Sequence, residues 1–149
     1  SNYPADRFTA AHKIVQDRQW TPILVHQCVY NLLDRGIENG VLAAARAAEA
    51  GVIIYSPLAQ GLLSDKYLQN VPQLPERRLA QVRKSNEIAQ SRGQTLAQMA
   101  LVWTLRDPAV TSALIGASSV EQVEENVKAL AQPDFAADEL TRIDQVLNS

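Results

Sequence analysis

The chain has 149 residues, 46% of them apolar and 20% charged, which is the balance of one ordinary folded domain and not of a disordered segment. A formal net charge of −2 with few aromatic residues offers no basic surface for nucleic acid or an anionic bilayer, and no run approaches the roughly 18 consecutive apolar residues of a membrane span. Cys28 is the single cysteine, which excludes an intrachain disulfide and a thiolate metal cluster; Ser1-Asn2-Tyr3-Pro4 does not read as a signal peptide, so the cytoplasm is the expected address.

Along the chain the periodicity switches between two kinds of segment. Pro4 to Gln19 predicts a helix opened by proline, with Phe8, Ala11 and Val15 on one face. Ile23 to Tyr30 is short, apolar and β-branched, the pattern of a buried strand. Val41 to Ala50 predicts an alanine-rich helix, with Gly51 as its left-handed stop. Val52 to Tyr55 predicts a strand that ends at Ser56-Pro57. After a loop punctuated by Pro72 and Pro75, Leu79 to Arg92 is helical up to Gly93.

Thr95 and Gln98 then form a capping-box pattern for a helix carrying Leu96, Met99, Ala100 and Trp103 on one stripe. Thr111 to Ile115 predicts a third strand, turning at Gly116. Ser119 and Gln122 repeat the capping-box pattern ahead of a helix through Val123 to Leu130. Asp138 to Leu147 predicts a last helix, with Leu140, Ile143 and Leu147 as its apolar stripe. Trp20 and Trp103 read as helix-packing residues.

Such alternation implies an α/β fold with a parallel sheet covered by helices. Three strands leave two long unpaired edges, whereas a closed barrel needs about eight. The chain is therefore expected to be completed by another segment.

In parallel α/β folds ligands sit at the C-terminal ends of the strands, and two junctions there carry suitable chemistry. Gly116-Ala117-Ser118-Ser119 joins a strand to a helix start, where first-turn amides and hydroxyls can face an anion; an ordinary capped helix gives the same pattern. Tyr55-Ser56-Pro57-Leu58-Ala59-Gln60-Gly61 continues to Lys66, offering an extended exit, an amide, open backbone and a cation; a solvated loop reads no differently. His26 alternates with Gln27, so only one of them faces a ligand, and His26 reads as a hydrogen-bonded core histidine. His12 reads as a solvated helix residue. No His, Cys, Asp or Glu spacing suits a metal, and Cys28 has no evident base.

At these residues the sequence resembles the aldo-keto reductase superfamily, nearest to the branch of potassium-channel β subunits and bacterial methylglyoxal-type reductases. The resemblance is carried by Ser1-Asn2, by Gln27 to Leu33, by Tyr55 to Tyr67 and by Gly116 to Asn126, in the family's order. It implies a (β/α)₈ TIM barrel of which residues 1–149 supply about the second half, with the sixth to eighth strands. It also implies NADP as cofactor, with NAD as the alternative, and reduction of an aldehyde or ketone.

Carried over by position, Ser1, Asn2 and Gln27 would hydrogen-bond the nicotinamide carboxamide, and Tyr55 would lie on the ring. Ser56, Pro57, Leu58, Gln60 and Lys66 would line the pyrophosphate. Gly116, Ser118, Gln122, Glu125 and Asn126 would hold the adenosine end, with Ser118 near a 2′-phosphate.

The family's catalytic Asp, Tyr, Lys and His belong to the first half of the barrel, and no catalytic residue is assigned here. The loop from Leu68 to Leu79 is shorter than this branch carries, and its expected cofactor-binding arginine has no assured counterpart in Arg77 or Arg78. A small carbonyl substrate is the expected partner, with no nucleic acid and no membrane; self-association, a regulatory cofactor-binding role and an inactive half-barrel stay open.

Overall fold

The computed structural model describes residues 2–65, 68 and 74–148. In chain order the elements are α1 (Ala5–Asp17), β1 (Val25–Val29), α2 (Val41–Ala47), β2 (Gly51–Tyr55), α3 (Glu76–Ser91), α4 (Leu96–Thr104), β3 (Val110–Ala113), α5 (Val120–Lys128) and α6 (Ala137–Asn148). The sheet is three-stranded in the order β1-β2-β3. Both pairings are parallel, with Val25 opposite Gly51, Val29 opposite Tyr55 and Ile54 opposite Ala113.

Local chemistry explains most boundaries. Thr95 closes a full reciprocal capping box on α4: its hydroxyl accepts from the Gln98 amide at 3.2 Å, and the Gln98 side chain accepts from the Thr95 amide at 3.1 Å. The box expected at α5 is only half formed. Ser119 accepts from the Gln122 amide, but the Gln122 side chain turns to Ser118 instead of returning to Ser119. Helix α3 begins at Glu76, ahead of the expected Leu79, because Pro75 at its N-cap already holds φ −55° and suits a helix start.

Gly51 is not the stop of α2. That helix ends at Ala47, and Glu49 takes the left-handed conformation at φ 53°. Gly51 instead opens β2 against Thr111 of β3: a Cβ there would lie 2.5 Å from the Thr111 hydroxyl. Glycine is required by that approach.

Helices cover one face of the sheet. His26 and Cys28 on β1 and Val52 and Ile54 on β2 are buried there with Phe8, Leu42, Met99, Trp103 and Ile143. The alternate residues Gln27, Val29, Ile53 and Tyr55 are only half-buried on the opposite face. The expected helical cover of the sheet is thus present, on one face.

Both outer edges carry uncovered apolar groups: Leu24 and Val25 beside β1, Leu114 and Ile115 after β3. The stripe Val120, Val123, Val127 and Leu130 on and after α5 is exposed as well. Of the two tryptophans, Trp103 is buried as read from the helix pattern, whereas Trp20 is 61% exposed beyond the end of α1. No described helix is long and apolar enough to cross a membrane.

Candidate functional site

The chain leaves β2 through a backbone with an unusual run of positive φ. Ser56 stands at φ 54°, Ala59 at 47° and Gln60 at 58°, followed by Gly61 at 92°. Non-glycine residues held in this region cost on the order of 1–3 kcal/mol each, and such strain gathers at ligand sites. The surroundings fix it. The Asn31 side-chain amide donates to the Ser56 carbonyl at 3.0 Å, and the Ser64 hydroxyl donates to the Gly61 carbonyl at 2.7 Å. Asn31 also accepts from the Leu33 and Asp34 amides at 2.9 Å, so a polar turn after β1 braces the loop after β2.

Across from this loop lies the start of α5. Between them opens a cavity of about 870 Å³, lined by Ser56, Pro57, Leu58, Gln60 and Gly61 on one side and by Gly116, Glu121, Gln122, Glu125 and Asn126 on the other. That is within the range of roughly 300–1,000 Å³ typical of cofactor and small-molecule sites. At its α5 end the Ser118 amide and hydroxyl both donate to the Gln122 side-chain oxygen, at 2.8 and 3.2 Å. An acceptor oxygen therefore already sits where a helix N-terminus offers its donors to an anion. Glu125 accepts from the Gln98 side-chain amide at 3.3 Å and pairs with Lys128. The Glu121 carboxyl is held below its ordinary range by its own backbone amide and the Ser119 hydroxyl.

A second cluster forms on the open face of the sheet. The Asn2 side-chain amide donates to the Tyr55 hydroxyl at 2.6 Å, and its oxygen accepts from the Val29 amide at 3.0 Å. The Asn2 backbone amide donates to the Gln27 carbonyl at 2.9 Å. The expected nicotinamide-end residues Asn2, Gln27 and Tyr55 thus meet at the C-terminal ends of β1 and β2, as an open patch apart from the cavity lining. His26 points the other way: it is buried, stacks on Phe8 at 4.7 Å between ring centres, and its Nε2 lies 3.1 Å from the Tyr3 carbonyl. It is a core histidine. His12, expected in solvent, is partly buried and stacked on Phe8, with Nδ1 enclosed.

Beneath the site, one carboxylate organises the chain after β1. Glu38 accepts from the Tyr30 hydroxyl at 2.5 Å, from Arg35 at 2.7 and 3.0 Å and from Arg106 at 2.8 Å. Arg106 lies 3.6 Å over the Trp103 ring and also donates to the Tyr30 hydroxyl. Burial works to raise the Glu38 pKa, but the hydrogen bonds from Arg35, Tyr30 and Arg106 outweigh it and hold the carboxyl below the usual range. Burial, reinforced by the bond to Glu38, pushes the Tyr30 phenol up. Burial likewise raises the Cys28 thiol, which keeps it a neutral core group.

Of the residues expected at a cofactor, Ser56, Pro57, Leu58, Gln60, Gly116, Gln122, Glu125 and Asn126 line the cavity together. Ser118 stands beside it through Gln122. Ser1 and Lys66 lie outside the described residues. Thr95 and Ala97 at the start of α4, Ser64 and Asp65 after the strained turn, and Leu114 and Ile115 after β3 also line the cavity. Glu121 at the start of α5 lines it too. The sequence reading assigned none of these to a ligand: Thr95 already served as a cap, Ser64, Asp65 and Glu121 fell inside the matched stretches without a role, and Ala97, Leu114 and Ile115 carry no motif by themselves. Arg77 and Arg78 are not among the lining residues, and Arg78 donates to the Leu33 carbonyl. No group of His, Cys, Asp and Glu among the described residues could hold a metal ion.

The sequence comparisons bear on the same residues. The model of the Aldo/keto reductase family matches residues 1–148, nearly the whole chain. The chain belongs to the aldo/keto reductase family. Among curated relatives, it is 46% identical over 148 residues to L-glyceraldehyde 3-phosphate reductase of Escherichia coli K12, covering 86% of this chain and 43% of the relative. It is 34% identical over 168 residues to a putative voltage-gated potassium channel subunit beta of Schizosaccharomyces pombe, covering 99% and 49%. A probable channel subunit beta of Oryza sativa is 31% identical over 168 residues, covering 100% and 51%. The chain therefore spans about half the length of the curated relatives it matches.

Proposed function

We propose that this chain is the cofactor-binding half of a (β/α)₈ oxidoreductase that reduces aldehydes or ketones with a nicotinamide dinucleotide. The observation that carries the reading is the cavity between the strained β2 exit and the start of α5. Its size suits a dinucleotide, its walls alternate apolar surface with amides, and the Ser118–Gln122 contact marks a seat for an anionic oxygen. Ser56, Leu58 and Gln60 would hold the pyrophosphate, and Gln122, Glu125 and Asn126 the adenosine end. Asn2, Gln27 and Tyr55 are grouped where a nicotinamide ring would emerge. The ring, when bound, supplies the hydride; the chain supplies position and an excluded face.

The half-barrel reading is supported by the face of the sheet that no helix covers, where Gln27, Val29, Ile53 and Tyr55 are only half-buried, and by the apolar edges at Leu24–Val25 and Leu114–Ile115. A preceding half would cover both and bring the proton-donating tyrosine and its Asp, Lys and His partners, whose motifs are not in this sequence. Ser118 points to NADP(H); NAD(H) is the other form that the same cavity admits.

The similarity to channel β subunits favours one second reading, a cofactor-binding regulatory subunit with little turnover. Steady-state reduction of glyceraldehyde and other simple aldehydes by the purified full-length protein separates the two. Turnover that follows added dinucleotide supports the reductase. Micromolar dinucleotide binding without turnover supports the regulatory subunit, and absence of binding removes both.

A further inference from the structure

The Asn31 side chain stands behind the candidate site. It is 3% exposed and is not among the residues that line the cavity. The turn that carries it is closed twice over. Backbone bonds join Asn31 and Asp34 in both directions at 3.1 Å, and the Asn31 side-chain oxygen accepts from the Leu33 and Asp34 amides. With the oxygen so engaged, the orientation of the side-chain amide is fixed and its nitrogen is left to donate elsewhere. It donates to the Ser56 carbonyl at 3.0 Å, 25 residues along the chain.

Ser56 needs such a partner. Its φ of 54° is unfavourable for a residue with a Cβ. The ring of Pro57 also presses the residue before it toward extended backbone with negative φ. Proline has no N–H, so the peptide group between Ser56 and Pro57 offers the Ser56 carbonyl as its one polar handle. A local bond reaches that carbonyl from the Ala59 amide at 3.0 Å; Asn31 supplies the bond from another part of the fold. Ser56 opens the run of positive φ that resumes at Ala59, Gln60 and Gly61, so the loop on this side of the cavity takes its course from that peptide.

We infer that Asn31 is a positioning residue for the dinucleotide: without touching it, the buried amide holds the Ser56–Pro57 peptide in the orientation that presents the exit loop to the pyrophosphate. The inference rests on the reading of the cavity just given. Affinity then depends on a bond that the ligand never meets, because a loop already in place need not be ordered on binding.

The experiment is equilibrium titration of NADPH and, separately, NADH into the purified full-length protein, followed by reduced-nicotinamide fluorescence. It compares the wild type with N31S, S56G and N31S/S56G. Serine at position 31 can still accept from the turn amides but is too short to reach Ser56. N31S should weaken both dinucleotides about fivefold, in line with the coupling of residues in contact. Glycine at position 56 takes positive φ without strain, so in the S56G background the same substitution should cost less than about twofold. Ile143→Val, which trims the core on α6 far from the cavity lining, lowers stability and should bind both dinucleotides as the wild type does.

Unchanged affinity in N31S, equal losses in the two backgrounds at position 56, or a matching loss in Ile143→Val overturns the inference and leaves the dinucleotide site standing. Should N31S fail to fold by circular dichroism, N31D replaces it. Aspartate keeps the turn acceptor and removes the donor, and wild-type affinity in N31D overturns the inference equally. If the wild type binds neither dinucleotide at millimolar concentration, the reading of the cavity fails and this inference with it.

Discussion

Replacing Glu38 by glutamine should lower stability more than any other surface-accessible substitution on the turn after β1. The carboxylate receives four hydrogen bonds, two from Arg35 and one each from Tyr30 and Arg106, with about a quarter of its side chain exposed. Glutamine keeps one acceptor oxygen and loses the charge. Arg35 keeps Asp144 at 2.6 Å, and Arg106 keeps the Tyr30 hydroxyl and the Trp103 carbonyl. Hydrogen bonds to charged groups contribute about 1.5–3 kcal/mol each, and here most donors retain a partner. The expected loss is therefore about 2 kcal/mol, near the contribution of one such bond and well below four.

Urea unfolding at pH 7 should show a lower midpoint with an unchanged slope. The pH dependence is the sharper test. The folded-state pKa of Glu38 is depressed, so its contribution is fully present above the unfolded value of about 4.3 and disappears as pH falls through the folded value. The difference between wild type and E38Q should thus shrink steadily below about pH 4. A deficit that stays constant down to the acid transition, or a loss under about 0.5 kcal/mol at neutral pH, the scatter of ordinary surface substitutions, would refute the assignment of Glu38 as an ionised hub.

Other substitutions probe separate parts of the account. Thr95→Ala removes the hydroxyl half of the α4 capping box and should cost about 1 kcal/mol in chemical denaturation; Ser119→Ala, on the half-formed box of α5, should cost less. Trp103→Ala empties the largest buried side-chain site and removes the surface on which Arg106 lies, so a loss of about 3–5 kcal/mol is expected from thermal or urea unfolding. Tyr55→Phe deletes only the hydroxyl bonded to Asn2; stability should change by about 1 kcal/mol or less, while dinucleotide affinity falls severalfold because the Asn2 side-chain amide loses its partner, although the Val29 and Gln27 bonds remain. An unchanged affinity in a binding titration would separate Asn2 and Tyr55 from the cofactor.

Much of this arrangement was readable in the sequence because it is decided by neighbours close along the chain. The capping box at Thr95 and Gln98 and the stripe through Leu96, Met99, Ala100 and Trp103 depend on positions within one or two turns, and both are present. The alternation of His26 with Gln27 likewise fixed that the two point to opposite faces. What could not be read depends on partners far along the chain. Gly51 looked like a helix stop, but its requirement comes from Thr111 on another strand.

Gln122 had the spacing of a capping box, yet Ser118 competes for its side chain and wins both of the available hydrogen bonds. Glu38 gathers Tyr30, Arg35 and Arg106, the last of them 68 residues away, and no local pattern announces such a hub. Trp20 read as a helix-packing residue but is 61% exposed just beyond the end of α1, because nothing among the described residues covers it. The cavity itself was legible as two separate anion-friendly junctions. Only the register of β2 with β3 brings them to face each other across one space.

The account turns on where a dinucleotide touches this chain. Hydrogen–deuterium exchange of the full-length protein, with and without saturating NADPH and, separately, NADH, measures that directly. Slowed exchange concentrated in residues 56–65 and 116–126, with α1 and α6 unchanged, is the result the cavity predicts. Binding that protects other segments, or that leaves both of these loops unaltered, would contradict it.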